Sequence, residues 1–130
     1  MAESRQTSNP TPWMIAALAA SAWGLIAVAF ASLAPPNLIP HVFYSYHVEH
    51  FVAFYLVAAA ASAGLPRQRL TTLSFCMIAF AVVLEVIRML TPIHRLTSAE
   101  DLVCDIGGVL AAFAPILIGR FRDSMARAQV

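Results

Sequence analysis

The segment from Glu85 to Gly108 reads EVIRMLTPIHRLTSAEDLVCDIGG and joins two long apolar stretches of the chain. It introduces ionisable side chains into those stretches at Glu85, Arg88, Asp101 and Asp105. A charged side chain near the centre of a lipid bilayer costs about 2.5–3.5 kcal/mol on insertion scales. We therefore expect these groups either to pair with one another and fix the fold or to form a functional site.

The composition of the whole chain is typical of a membrane protein. Of the 130 residues, 60% are hydrophobic and 12% are charged, whereas a soluble domain averages about 25% charged residues. We therefore predict a single transmembrane helical domain over residues 1–130, with polar tails at 1–12 and 120–130. The net charge of +1 argues against nucleic acid as a partner.

Four apolar stretches predict an all-α fold, namely an integral membrane bundle of four transmembrane helices. The predicted helices cover about residues 13–33, 46–64, 70–90 and 99–118. At about 1.5 Å per residue, each stretch is long enough to cross a hydrocarbon core of about 30 Å. A secretory signal peptide is the alternative interpretation of the first stretch, but its apolar run exceeds the roughly 7–15 residues typical of such signals.

The arginines predict the orientation of the bundle. Four crossings place both termini on one side of the membrane, and that side holds six of the eight basic residues: Arg5, Arg67, Arg69, Arg120, Arg122 and Arg127. The other side holds Arg88 and Arg95. Because arginine-rich loops face the cytoplasm, we predict that the N and C termini are cytoplasmic.

Polar side chains recur at one level of three predicted helices. They form pairs three or four residues apart, so each pair occupies one helix face; the pairs are His47 with His50, Glu85 with Arg88, and Asp101 with Asp105. We expect the three faces to meet near the outer membrane surface. Acidic groups outnumber arginines at this level, which predicts a site that responds to pH or binds a cation. The alternative is that the surplus acids, Glu49 and Glu100, simply face water.

The positions of these residues resemble the pattern of the VanZ-like family of small polytopic bacterial membrane proteins. The family pattern has Asp-Lys-x-x-His-Phe, then Glu-x-x-Gln, then Arg-x-x-Ser-x-x-Asp-x-x-x-Asn-x-x-Gly. The matching residues of this chain, within about residues 46–112, are His50, Phe51, Glu85, Arg95, Ser98, Asp101 and Gly108. Four positions depart from the pattern: Tyr46 and His47 replace Asp and Lys, whereas Arg88 and Asp105 replace the uncharged Gln and Asn and add charge at those two positions.

The resemblance implies a multi-pass protein of the bacterial inner (cytoplasmic) membrane with a role at the cell envelope. The founding member of the family is associated with resistance to the glycopeptide teicoplanin. We therefore expect an ionic cluster that binds a ligand, made of His47, His50, Glu85, Arg88, Arg95, Ser98, Asp101 and Asp105. Within this cluster, Arg88 and Arg95 are predicted to hold an anionic group of the ligand.

Catalytic, metal and cofactor roles receive little support from the sequence. His50 and Glu85 are the candidates for acid–base chemistry, with an interhelical hydrogen bond as the alternative. Ser98 is better suited to cap the fourth helix than to act as a nucleophile, and Arg95 with Asp101 suggests a structural clamp. The spacing of His47 and His50 lacks the i, i+4 pair of helical zinc sites, so neither a metal nor a cofactor is expected.

Three functional hypotheses follow from these observations. The first is a pocket facing the periplasm that binds the headgroup of a cell-envelope lipid or a glycopeptide-like molecule. The second is a non-catalytic accessory or assembly subunit of a larger membrane complex, joined through small residues of the first helix, Ala16, Ala20 and Gly24. The third, an enzyme acting on a lipid-linked substrate, has the least support because no nucleophile or metal set is recognisable.

Overall fold

The computed structural model describes residues 10–35, 38, 45–91 and 99–128, and every long element among them is an α-helix. The four helices are α1 (Pro12–Leu33), α2 (Tyr46–Gly64), α3 (Leu70–Leu90) and α4 (Ala99–Ala128). The prediction of an all-α fold is therefore confirmed. The predicted bounds of α2 and α3 agree with the observed bounds, and α1 begins one residue early because proline is well tolerated in a first helical turn.

Three of the helices, α1, α3 and α4, are long and apolar enough to cross a membrane. The second helix is less apolar because its first turns carry His47, Glu49 and His50. These features indicate a membrane protein. The crossing by α2 and the side on which the termini lie remain predictions.

The fourth helix continues without interruption to Ala128, although the sequence predicted a span ending near residue 118 and a polar tail after it. Pro115 lies inside the helix, where it removes one backbone donor without ending the element. Beyond it, Arg127 Nε donates to the carbonyl oxygen of Asp123 over 3.2 Å, and Ser124 Oγ donates to that of Phe121 over 2.7 Å. The segment from 120 to 128 is exposed, so local contacts and helix propensity maintain it.

The second helix lies at the centre of the bundle, between α1 and α4, and α3 packs beside them. The largest fully buried side chains are Phe54 of α2 with Phe113 and Val109 of α4. The remaining core residues include Val57, Ala58 and Ala61 of α2, Leu73, Met77, Ala81 and Leu84 of α3, and Val28 of α1. Most other apolar side chains of the helices face outward, as expected for a bundle surrounded by lipid.

Glycines set the closest helix approaches. A Cβ at Gly24 of α1 would lie 2.6 Å from Val57 Cγ2, and a Cβ at Gly108 of α4 would overlap the carbonyl oxygen of Phe51. Gly24 of α1 therefore faces α2 within the bundle. Of the three small residues that were predicted to contact a partner helix, Ala16 and Ala20 are exposed. These two therefore remain available for such a contact.

Candidate functional site

The first turns of α2 and α4 lie beside the last turns of α3, so the polar faces of the three helices meet at one end of the bundle. We refer to the residues that meet there as the ionic cluster: His47, His50, Glu85, Arg88, Asp101 and Asp105. All except His47 are buried. The structure thus unites six of the eight residues predicted for the site, while Arg95 and Ser98 lie outside the described residues.

One pair in the ionic cluster joins α2 to α4. His50 Nδ1 lies 2.8 Å from Asp105 Oδ1, and both side chains are buried. Because a carboxylate can only accept a hydrogen bond, Nδ1 is the donor, and Nε2 of a neutral imidazole is left as an acceptor. The pair resembles the carboxylate–histidine arrangement that fixes a ring tautomer in many sites.

A second pair joins the same helices one turn nearer the bundle end. His47 Nδ1 lies 2.9 Å from Asp101 Oδ1, and its Nε2 lies 3.6 Å from Glu100 Oε2. The His47 side chain is 45% exposed, whereas that of Asp101 is 3% exposed. The outer pair therefore borders the surroundings of the protein, and the inner pair of His50 and Asp105 is enclosed.

Arg88 links α3 to α4 and is surrounded by its partners. Its Nη1 donates to Glu85 Oε2 over 3.0 Å, and its Nη2 lies 3.5 Å from Asp101 Oδ2. Its Cζ lies 5.9 Å from the centre of the Tyr46 ring, within the range of a cation–π contact. Because the side chain is only 5% exposed, Arg88 stabilises the cluster and is poorly placed for the predicted contact with an anionic ligand.

Two buried polar atoms at this link lack a hydrogen-bond partner among the described residues. They are Glu85 Oε1 and Arg88 Nε. Leaving a buried donor or acceptor unpaired costs about 1–3 kcal/mol. The link between α3 and α4 is therefore incompletely satisfied by protein atoms.

The charges of the ionic cluster do not cancel unless the histidines contribute. Glu85, Asp101 and Asp105 carry three negative charges and Arg88 carries one positive charge. The formal sum is −2 with both histidines neutral and zero with both protonated. The surroundings of His50 are thus rich in hydrogen-bond acceptors and negative charge.

His50 and Glu85, the two candidates for acid–base chemistry, contact different partners in this structure. Glu85 binds Arg88, which lies three residues later on the same helix face, and His50 binds Asp105. Asp101, which was predicted to form a clamp with Arg95, contacts His47 and Arg88. The described geometry therefore offers no acid–base pair between His50 and Glu85.

Sequence reasoning missed Tyr46 as a member of the site. Its ring centre lies 4.4 Å from that of His50 and 5.9 Å from Arg88 Cζ. The signal was available in the spacing, since Tyr46 and His50 are four residues apart on one face of α2.

A groove of about 80 Å³ lies between α1 and α2 beside the ionic cluster. Its lining consists of Val28, Ala31 and Ser32 of α1, and Tyr46, Glu49, His50 and Ala53 of α2. We refer to it as the α1–α2 groove. His50 belongs both to this lining and to the pair with Asp105, so the groove and the cluster share one side chain.

Metal binding finds no support within the described part of the chain, which contains no group of three or more His, Cys, Asp and Glu side chains placed to hold an ion. Comparison with protein-family models, with curated proteins and with solved structures finds no match. The resemblance to the VanZ-like family therefore stays a prediction.

Proposed function

We propose that this chain is a VanZ-like membrane protein that binds the headgroup of a cell-envelope lipid, or of a glycopeptide-like molecule, in the α1–α2 groove. The observation that supports this proposal is the shared position of His50. One ring nitrogen of His50 is fixed by Asp105, and the same residue lines a groove whose other walls are largely apolar. Such a combination suits a ligand with a polar head and an apolar body.

The proposal includes a specific arrangement in the membrane. All four helices cross the bacterial inner membrane, with cytoplasmic termini and a periplasmic ionic cluster. Helix α2 can cross because its buried polar groups are paired inside the bundle, and its exposed polar ones lie in its first turns. The orientation is supported by Arg67 and Arg69 in the α2–α3 turn, at the end opposite the cluster. The test is a reporter enzyme that is active only outside the cytoplasm, fused after Val130. Activity of this fusion would contradict the predicted orientation.

Filling the α1–α2 groove tests the binding proposal. We expect Ala31→Phe to reduce the amount of phospholipid retained through mild-detergent purification by roughly tenfold, equivalent to about 1.4 kcal/mol, because the new ring occupies the space of the headgroup. The measurement is quantitative mass spectrometry of the lipid bound per chain. Ala27→Phe is the matched control, since Ala27 lies one turn away on α1 and is exposed. Equal retention by both variants contradicts the proposal.

The second candidate function is a non-catalytic accessory or assembly subunit of a larger membrane complex. It is favoured by the extent to which the charged groups of the ionic cluster pair with one another, as expected for a structural lock between helices. Under this alternative, the exposed Ala16 and Ala20 contact a partner helix. His50→Ala would then release a co-purifying protein, while lipid retention by Ala31→Phe would match that of the wild type.

A further inference from the structure

We infer that the α1–α2 groove selects a primary ammonium group, namely the aminoethyl headgroup of a phospholipid in the surrounding membrane. The inference rests on the proposed function, because it names the chemistry of the headgroup bound there.

Each polar side chain of the described groove lining can accept a hydrogen bond, and the two hydroxyls can also donate one. The polar part of the lining consists of the Glu49 carboxylate, the Ser32 hydroxyl, the Tyr46 side chain and the His50 ring. Because His50 Nδ1 is occupied by Asp105, Nε2 is the ring nitrogen that remains for a ligand, and in a neutral ring it is an acceptor. A primary ammonium group provides three donors and no acceptor, which complements such a lining.

Electrostatics favour a cation over an anion in the same place. Among the described residues, no arginine lines the groove, and Arg88 is enclosed by Glu85, Asp101 and Tyr46. Asp105 adds a buried carboxylate 2.8 Å from His50. Within the described lining, an anionic headgroup would meet the Glu49 carboxylate and no arginine, whereas an ammonium group would reduce the formal negative charge of the neighbouring ionic cluster.

Geometry separates an aminoethyl group from a trimethylammonium group. The groove volume of about 80 Å³ suits a short arm of few heavy atoms. Val28, Ala31 and Ala53 supply apolar surface for two methylene groups. A trimethylammonium group has no N–H donor for the acceptors, and proteins recognise it with a cage of several aromatic rings. Among the lining residues that the structure describes, Tyr46 alone has a phenyl, phenol or indole ring.

The experiment presents the full-length protein in detergent with equal amounts of phosphatidylethanolamine, phosphatidylglycerol and phosphatidylcholine that carry identical acyl chains. Native mass spectrometry measures which lipid stays bound. We expect phosphatidylethanolamine to be retained about tenfold more than either competitor, the ratio for one charge-assisted hydrogen bond. Glu49→Gln should remove this preference. Glu100→Gln should preserve it, because Glu100 lies at the same end of the bundle with a 79% exposed side chain and does not line the groove.

The outcomes separate this inference from the proposed function. Preferential retention of phosphatidylglycerol, or equal retention of the ethanolamine and choline lipids, overturns the ammonium inference and leaves lipid binding in place. Equal lipid retention by the wild type and Ala31→Phe overturns the proposed function itself. If Glu49→Gln fails to purify as a folded protein, Ser32→Ala takes its place, and an unchanged lipid preference in that variant counts against the inference.

Discussion

Replacement of Arg88 by methionine should lower the free energy of unfolding by about 3–5 kcal/mol, the usual effect of removing one partner from a buried ion pair. Methionine retains most of the apolar stem of arginine but none of its charge. Glu85 and Asp101 would then stay buried without the cation that contacts both of them. Their desolvation would be uncompensated, so the contact between α3 and α4 would weaken.

The measurement for Arg88→Met is equilibrium unfolding in mixed micelles, followed by the fluorescence of Trp13 and Trp23. Arg120→Met is the matched control, because Arg120 is exposed in the last third of α4 and surface substitutions usually change stability by less than about 0.5 kcal/mol. Adding Glu85→Gln and Asp101→Asn to Arg88→Met should restore part of the loss by removing the stranded charges. Equal stabilities of Arg88→Met and Arg120→Met would contradict the role assigned to Arg88.

Substitution of Gly108 by alanine is expected to have the second large effect. The added Cβ would overlap the carbonyl oxygen of Phe51 and lie 3.1 Å from the backbone nitrogen of Tyr55. A side chain can relieve such an overlap by changing its rotamer, but backbone atoms cannot, so α2 and α4 must separate. We expect a loss of stability of at least about 1–3 kcal/mol, the usual range for overpacking, together with disruption of the pair formed by His50 and Asp105.

The adjacent glycine provides the control for Gly108→Ala. A Cβ at Gly107 would lie 3.5 Å from the Phe51 ring, which is an ordinary van der Waals contact. Gly107→Ala should therefore be neutral or stabilising by up to about 1 kcal/mol, through the higher helix propensity of alanine. The same unfolding measurement compares the two variants. A stability of Gly108→Ala equal to that of Gly107→Ala would show that the close approach of α2 and α4 is absent.

The helices were predictable because their limits are encoded locally. Apolar runs of membrane length, Gly64 followed by Pro66, and the spacing of charged residues are visible in the sequence without any knowledge of packing. The gathering of the polar faces followed from the same spacing. In a bundle without water at its centre, charged faces of neighbouring helices turn toward one another.

The pairing within the ionic cluster was not predictable in the same way. Which acid meets His50 depends on the rotation of α2 about its axis, and that rotation follows from tertiary contacts such as the close approach of Gly108 to Phe51. The full extent of α4 to Ala128 was not predictable from hydropathy, which places the end of the apolar span near residue 118. A polar segment scores poorly by hydropathy, although its arginine, methionine and alanine residues favour a helix.

A double-mutant cycle on His50 and Asp105 tests the contact between α2 and α4 directly. These two residues join the helices beside the α1–α2 groove, at 2.8 Å. Unfolding free energies of the wild type, His50→Asn, Asp105→Asn and the double variant give their coupling energy. We predict a coupling of about 0.5–3 kcal/mol, as found for residues in contact. If the effects of the two single substitutions sum to the effect of the double variant within about 0.3–0.5 kcal/mol, the two residues do not interact and the contact between α2 and α4 is contradicted.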